Sequence, residues 1–413
     1  MVRNFRSVSH RRDGRDPLGL LPFLAVSFFL LLAGCASAPP HDPVPEYLIE
    51  AANLPAFSNV RYWGDTTVPN QEAALSANAE ALRSRAHRLA ELGESIQSHY
   101  LALSGGGADG AFGAGLLVGW TEAGTRPEFR IVSGVSTGAL TAPFAFLGPE
   151  YDAQLKEAYT TVSTSSILRR NILAGILGGV ALSDTTPFAK LIKDFTNQEM
   201  FAAIAREHRK GRRLYIGTTN LDAGRPVVWD IGALANSGNP EALGLFRRII
   251  RASSAIPGLF PPVLFNVEAG GQSYAELHVD GGVTSQVFLY PARIDLRQID
   301  ARAGVQVDRR LYIIRNSKIT PDYEVVKPGL FTISKRSIDM LIKNQGIGDL
   351  YRLHALTNRD GIDYNLAHVP SSFQEIPREV FDQEYMRSLF DLGYDMAHQG
   401  YPWLKGPPGT EDD

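Results

Sequence analysis

Three groups of residues in this 413-residue chain have the types and spacing of a site for nucleophilic chemistry. Ser136 lies in Gly134-Val135-Ser136-Thr137-Gly138, directly after the run Phe129-Arg130-Ile131-Val132. This is the G-x-S-x-G pattern of a sharp strand-to-helix turn that pushes a serine hydroxyl into a cleft. A Cβ at either flanking glycine would clash across so tight a turn. Upstream, Leu101-Ala102-Leu103 enters Ser104-Gly105-Gly106-Gly107-Ala108-Asp109-Gly110. A strand entering such a loop and leaving as a helix exposes a row of backbone N–H groups beside the positive end of a helix dipole. Downstream, Glu276-Leu277-His278-Val279-Asp280-Gly281-Gly282 sets a carboxylate at a strand end, where two glycines let the chain turn.

The glycine loop admits two uses. Gly105, Gly107 and Gly110 satisfy G-x-G-x-x-G, the dinucleotide fingerprint. That use requires an acidic residue at the end of the following strand, and here the strand runs into Ser136 instead. A Walker loop is excluded, because no Lys-Ser or Lys-Thr closes the motif. The other use is an oxyanion hole, in which N–H groups of Gly106, Gly107 or a neighbour within 105–108 face an acyl carbonyl as it gains charge. Ser136 also needs a base. Asp280 can supply it directly, or can act through His354, His368 or His398 in a Ser-His-Asp arrangement whose chain order is permitted. His278 alternates with Asp280 along the strand and reads as a packing or hydrogen-bonding residue. The nine histidines show no metal-ligand spacing.

Alternating strand and helix signals position these groups. The pattern predicts a helix over 71–92, a strand over 98–104, a helix over 111–123 and a strand over 129–133, with a helix starting at Thr137 and kinked at Pro143. Further strands are predicted at 213–219, 226–230, up to Asp280, at 311–315 and near Tyr364. Helices are predicted at 243–254, 331–358 and 382–399. From Gly107 to Ser136 there is room for one helix and one strand, a single right-handed crossover, so both loops emerge at the same sheet edge. Such alternation implies an α/β fold with a mainly parallel sheet covered on both faces.

The three elements, in this order, resemble the patatin-like phospholipases. The stretch Ala252-Ser253-Ser254-Ala255-Ile256-Pro257-Gly258-Leu259-Phe260-Pro261-Pro262 is similar to the segment that family carries between elbow and aspartate. The likeness runs from about Tyr100 to Val283. It implies a three-layer α/β/α sandwich and a Ser–Asp dyad that uses no metal or other cofactor. Carried over, Ser136 is the nucleophile, Asp280 the proton acceptor, and 105–107 the oxyanion loop, with Gly134, Gly138, Gly281 and Gly282 as motif glycines. The implied substrate is a fatty-acyl ester of a membrane lipid. Two positions depart from the family pattern: Asp109 stands where the loop often carries a basic residue, and Ser104 where plant members carry Asp. A Ser-His-Asp esterase and a catalytically inactive lipid-binding lipoprotein are the alternatives.

The ends bear on location. Five arginines between Arg3 and Arg15 precede an apolar stretch from Leu18 to Leu32, the form of a secretory leader. Leu32-Ala33-Gly34-Cys35 resembles a bacterial lipobox, and Cys35 is the chain's single cysteine. The expected division is a leader over 1–34, a tether or N-terminal arm over 35–70, one hydrolase domain over 71–405 with its motif core at 100–283, and a tail over 406–413. A lipidated Cys35 implies a membrane anchor, and Ala36 after it favours the outer membrane. Losing the leader's five Arg and two Asp moves the formal charge from −3 to −6, which gives no support for nucleic-acid binding. The apolar 172–182 stretch is too short to cross a bilayer and reads as a buried core helix, with a mobile lid as the second reading.

Overall fold

The computed structural model describes residues 41–66, 71–91, 95–170, 183–291 and 294–410. The predicted leader, Cys35 and the apolar 172–182 stretch lie outside the described residues. The principal strands are β1 (Arg61–Trp63), β2 (Gln97–Leu103), β3 (Phe129–Val135), β4 (Arg213–Asn220), β5 (Arg225–Asp230), β6 (Val263–Ala269), β7 (Gln272–Asp280), β8 (Asp308–Arg315) and β9 (Asp363–His368). The helices that matter for the site are α1 (Gln71–Ala90), α2 (Gly110–Glu122), α3 (Thr137–Leu147), α4 (Asp152–Thr160), α5 (Thr186–Phe195), α6 (Gln198–Arg209), α7 (Ala242–Ser253), α8 (Leu296–Ala303), α9 (Leu330–Asp360) and α10 (Gln383–His398). Apart from the 172–182 helix, which lies outside the described residues, the predicted strands and helices occur with ends shifted by a few residues. Helix α3 continues through Pro143.

These strands form one nine-stranded sheet, in which β1, β5, β4, β3, β2, β8 and β9 lie side by side in that order. Its centre, from β4 to β9, is parallel throughout. Along β2 the side chains alternate between two cores. Leu101 and Leu103 pack with Phe112 of α2 and Phe390 of α10, while Tyr100 and Ala102 pack with Leu350 and Leu353 of α9. A strand covered on both faces must be apolar at every position, which is why 100–103 reads as an unbroken run rather than an alternating one. Helices α2 and α10 approach unusually closely. A Cβ on Gly115 would fall 1.9 Å from the Phe390 carbonyl oxygen, and one on Gly393 would fall 2.3 Å from that of Phe112.

Antiparallel strands complete the other side; β5 and β7 were predicted as strands, but β1, β6 and the pairing of all four were not. The β6–β7 hairpin joins β4 antiparallel, on the same edge as β3 but beyond its end: Val135 stands opposite Gly217, and Asp280 opposite the next residue, Thr218. Strands β3 and β7 therefore run toward each other along β4, and their carboxyl ends meet.

The described part of the predicted tether is docked against the domain. Strand β1 pairs antiparallel with β5, and Val44, Leu54 and Val60 are buried. Arg61 makes a two-pronged ion pair with buried Glu276, with Nη2 3.0 Å from Oε1. At the other end Gly406 and Pro407 are buried, so the predicted tail packs over its first residues.

Candidate active site

Ser136 sits at the head-on meeting of β3 and β7. Its φ of 56° and ψ of −122° place a non-glycine residue in the left-handed half of the map, the backbone strain typical of a nucleophile elbow. Both flanking glycines are sterically required. A Cβ on Gly134 would lie 2.3 Å from the Gly138 carbonyl oxygen, and one on Gly138 would lie 2.4 Å from that of Leu103.

The strained turn is held by the Ser253-Ser254-Ala255 segment at the end of α7. The Ser136 N–H donates to Ser253 Oγ at 3.0 Å, and Ser253 Oγ–H donates to the Gly217 carbonyl at 2.7 Å. The Ala255 carbonyl accepts from the Asp280 N–H at 3.0 Å. One tripeptide thus fixes the backbones of both Ser136 and Asp280, a role that motif similarity alone did not reveal.

Asp280 is 6% exposed, and its carboxylate accepts from the Gly282 N–H at 2.7 Å and lines the same cavity as Ser136. Burial pushes its pKa up to about 6, against the opposing pull of the nearby Ser136 hydroxyl and the Gly282 N–H. A carboxyl with that pKa is a stronger base than a free aspartate and is still ionised at neutral pH.

The glycine loop abuts this pair. A Cβ on Gly105 would lie 3.3 Å from Ser136 Cβ. The Gly105 N–H donates to the Gln286 carbonyl at 3.1 Å, so it is committed to holding the loop and leaves the predicted set of oxyanion donors. Ala108 lies within the tight turn Gly107–Asp109 and lines neither cavity beside Ser136. Among the described residues, the Gly106 and Gly107 N–H groups have no protein acceptor. Asn316, just beyond β8, anchors the loop. Its N–H donates to Ser104 Oγ and its side-chain amide to the Ser104 carbonyl, both at 2.9 Å. The Gly113 N–H donates to Asn316 Oδ1 at 3.2 Å. Asn316 and Gln286 were missed from sequence. The one signal for Asn316 was its place after a predicted strand, at the same sheet edge as the loop.

Asp109, the departure from the family pattern, accepts a hydrogen bond from Tyr385 of α10 at 2.7 Å, and burial raises its pKa to about 6. None of the histidines considered for a triad joins Ser136. His354 packs edge-on against Tyr364, His368 contacts the Val369 carbonyl at 2.9 Å, and His398 stacks on Tyr394. His278 bridges Glu276 and Thr218 at 3.1 and 2.9 Å, fully buried beside Trp229 and Phe265. That is the packing and hydrogen-bonding position its spacing suggested.

Two cavities open from Ser136, sharing Gly107, Ser136 and Ile256. One is walled by Leu140, Phe144, Phe188, Ile192 and Phe260. The other carries Asp280, Gln286, Arg315, Lys318 and Lys343.

Comparison with known proteins gives a family match. Residues 101–293 match the family model described as patatin-like phospholipase. No curated protein matches the chain. Among solved structures, the crystal structure of VipD from Legionella pneumophila matches at 14% identity, with a TM-score of 0.35, over 74% of this chain and 67% of that one.

Proposed function

Taking as premise that residues 101–293 are a patatin-like phospholipase domain, a lipid acyl hydrolase family, we propose that this chain hydrolyses fatty-acyl esters through a Ser136–Asp280 dyad. The observation that carries the proposal is the position of Ser136 where an apolar and a polar cavity meet. An amphiphile with its acyl chain in the first and its polar end in the second brings its ester to the hydroxyl. Asp280 accepts the proton as Ser136 Oγ attacks the carbonyl carbon. The Gly106 and Gly107 N–H groups stabilise the tetrahedral oxyanion, each worth about 3–4 kcal/mol in such a role. Collapse expels the alkoxide, which takes the proton back from Asp280, and leaves an acyl-serine. Water then attacks that ester, giving its proton to Asp280, and the fatty acid departs as Ser136 is regenerated.

The test is hydrolysis of p-nitrophenyl acyl esters. Ser136→Ala should lose activity by about 10³-fold or more. Equal rates for the two proteins would remove the hydrolase reading and leave the inactive lipid-binding alternative. A Ser-His-Asp mechanism has no support from the histidine positions, and His354→Ala, His368→Ala and His398→Ala should each keep most activity.

We also propose export and lipidation at Cys35, with the domain held at the outer membrane on the periplasmic side; the lipobox-like Leu32-Ala33-Gly34-Cys35 supports it. Metabolic labelling with an alkyne palmitate tests this, since a label that persists in Cys35→Ser would sink the idea.

A further inference from the structure

A third cavity lies on the α9 side of the sheet. Its volume is about 260 Å³, and it shares no lining residue with the two cavities at Ser136. Its walls include Val228 of β5, Val287 and Leu289 of the loop after β7, and Leu353 and Leu356 of α9, all buried. The last four belong to the core on the α9 side, whereas Phe188, Ile192 and Phe260 of the apolar cavity beside Ser136 belong to the core on the α2 side. Val135 and Gly281, the residues just before Ser136 and just after Asp280, also line it.

A folded interior holds few voids larger than one water molecule, and an apolar void of about 150 Å³ already admits benzene. A larger space between aliphatic side chains suits an alkyl chain. The polar groups along it are mostly engaged. Thr218 Oγ1 accepts from Trp229 Nε1 at 2.8 Å, Thr284 Oγ1 lies 2.9 Å from Thr219 Oγ1, and Ser285 Oγ–H donates to the Val287 carbonyl at 3.0 Å. Asp65 is held by Arg225, with Nη2 2.7 Å from Oδ1. Arg352 of α9 is different: it lines the cavity while its side chain stays 58% exposed. Its Nη2 lies 2.7 Å from Oδ1 of buried Asp349, and among the described residues it has no other hydrogen-bond or ion-pair partner. Asp349 keeps the Gln286 and Val287 N–H groups on its other oxygen, at 2.6 and 3.3 Å.

We propose that this third cavity is a binding site for a free fatty acid, with the carboxylate on Arg352 and the chain among Val287, Leu289, Leu353 and Leu356. A guanidinium with unused N–H groups matches a carboxylate in a two-pronged pair. A phosphate has more acceptor oxygens than this one cation can serve, and its charge would stand beside Asp349. A neutral apolar molecule would leave Arg352 without a role. The inference goes beyond the acyl-hydrolase reading, and binding at this site does not depend on it. Under that reading the ligand is of the class the reaction releases, held on the opposite face of the sheet from the apolar cavity beside Ser136.

Two measurements on the full chain test the site. The first is calorimetric titration with decanoate and with decyltrimethylammonium, both below their micelle-forming concentrations, in wild type, Arg352→Gln and Arg352→Lys. Decanoate held beside Ser136 is untouched by these substitutions, so the difference between the proteins reports the third cavity. Arg352→Gln should weaken decanoate binding there about tenfold or more, and Arg352→Lys, which keeps the charge, should retain most of it. The second is photolabelling of wild type with decanoate carrying a terminal diazirine, which needs no variant to fold. Adducts should fall on peptides containing 287–289 or 353–356. Decanoate affinity unchanged in Arg352→Gln overturns the proposal, as does label confined to the walls beside Ser136. Decyltrimethylammonium binding as tightly as decanoate would mark a cavity for any apolar chain and also overturn it. Neither measurement needs turnover, so failure of the hydrolase reading, seen as equal ester hydrolysis by wild type and Ser136→Ala, leaves this test intact.

Discussion

On one side of Ser136 the walls are Leu140, Phe144, Phe188, Ile192 and Phe260; on the other they are Asp280, Gln286, Arg315, Lys318 and Lys343. The first set comes from α3, α5 and the loop after α7, the second from the carboxyl ends of β7 and β8 and from α9. Helices covering a sheet must turn apolar faces inward, so a cavity between them is apolar without special provision. Strand ends supply the polar groups instead, because backbone N–H groups and side chains leave the sheet there unpaired. A site at this boundary suits a molecule with one apolar and one charged end, cut between them.

The comparison is broken most severely at the junction itself. Asp280→Asn keeps the shape and removes the base, so turnover should fall by about 10²–10⁴-fold. The loss should be equal for p-nitrophenyl butyrate, p-nitrophenyl palmitate and a phospholipid, since all three present the same ester to Ser136. A loss confined to one of them would mean that the cavities serve different reactions. The wild-type pH profile sharpens the point. With the Asp280 pKa near 6, kcat/KM should decline below about pH 6 and level off above it. A half-point near 4 would show that the base is not a buried carboxyl.

How much of this was legible in the sequence follows the range of the interactions. The elbow was readable because its constraint is local: Gly134 and Gly138 meet backbone atoms within a few residues or on the adjacent strand. The β2–β3 crossover was readable from two apolar runs and the helix between them. The way Asp280 reaches Ser136 was not. Asp-Gly-Gly announces a strand end, but no residue in it states that β7 joins β4 antiparallel and stops against β3. The same holds for Gln286 and Asn316, whose contacts to the glycine loop span 181 and 212 residues. The raised pKa of Asp280 is likewise a product of burial, which only the assembled fold supplies. The Arg61–Glu276 pair shows why a proline-rich stretch could look like a free tether: the charges that anchor it, Glu50 and Asp65 on Arg225 among them, meet partners 160 to 215 residues away.

A smaller effect separates the apolar cavity from the polar one. Ala158 of α4 lines the apolar side, and Ala158→Phe should fill part of it. Excluding about two methylenes of an acyl chain would forfeit ~1.6 kcal/mol, at roughly 0.8 kcal/mol per buried CH₂, or about 15-fold in kcat/KM. Palmitate esters should suffer that loss and butyrate esters little of it. Equal losses at both lengths would show that acyl chains do not enter this cavity.

The smallest effect is on stability, and it runs opposite to activity. Burial raises the Asp280 pKa from its ordinary 3.8 to about 6, so the folded state binds this proton more tightly than the unfolded chain does. The stability gained from that difference is fully present below about pH 3.8 and is lost as pH rises through about 6. Above that, the ionised carboxylate is a net burden on the fold, which the proposed reaction accounts for by its need of a base beside Ser136. Asp280→Asn removes the burden and keeps an acceptor oxygen for the Gly282 N–H. Its melting temperature should therefore exceed that of wild type by about 2–5 °C at pH 8, with the gap closing toward pH 4. A lower melting temperature at pH 8 would mean that the charged carboxylate stabilises the meeting of β3 and β7, and the cost assigned to its burial would have the wrong sign.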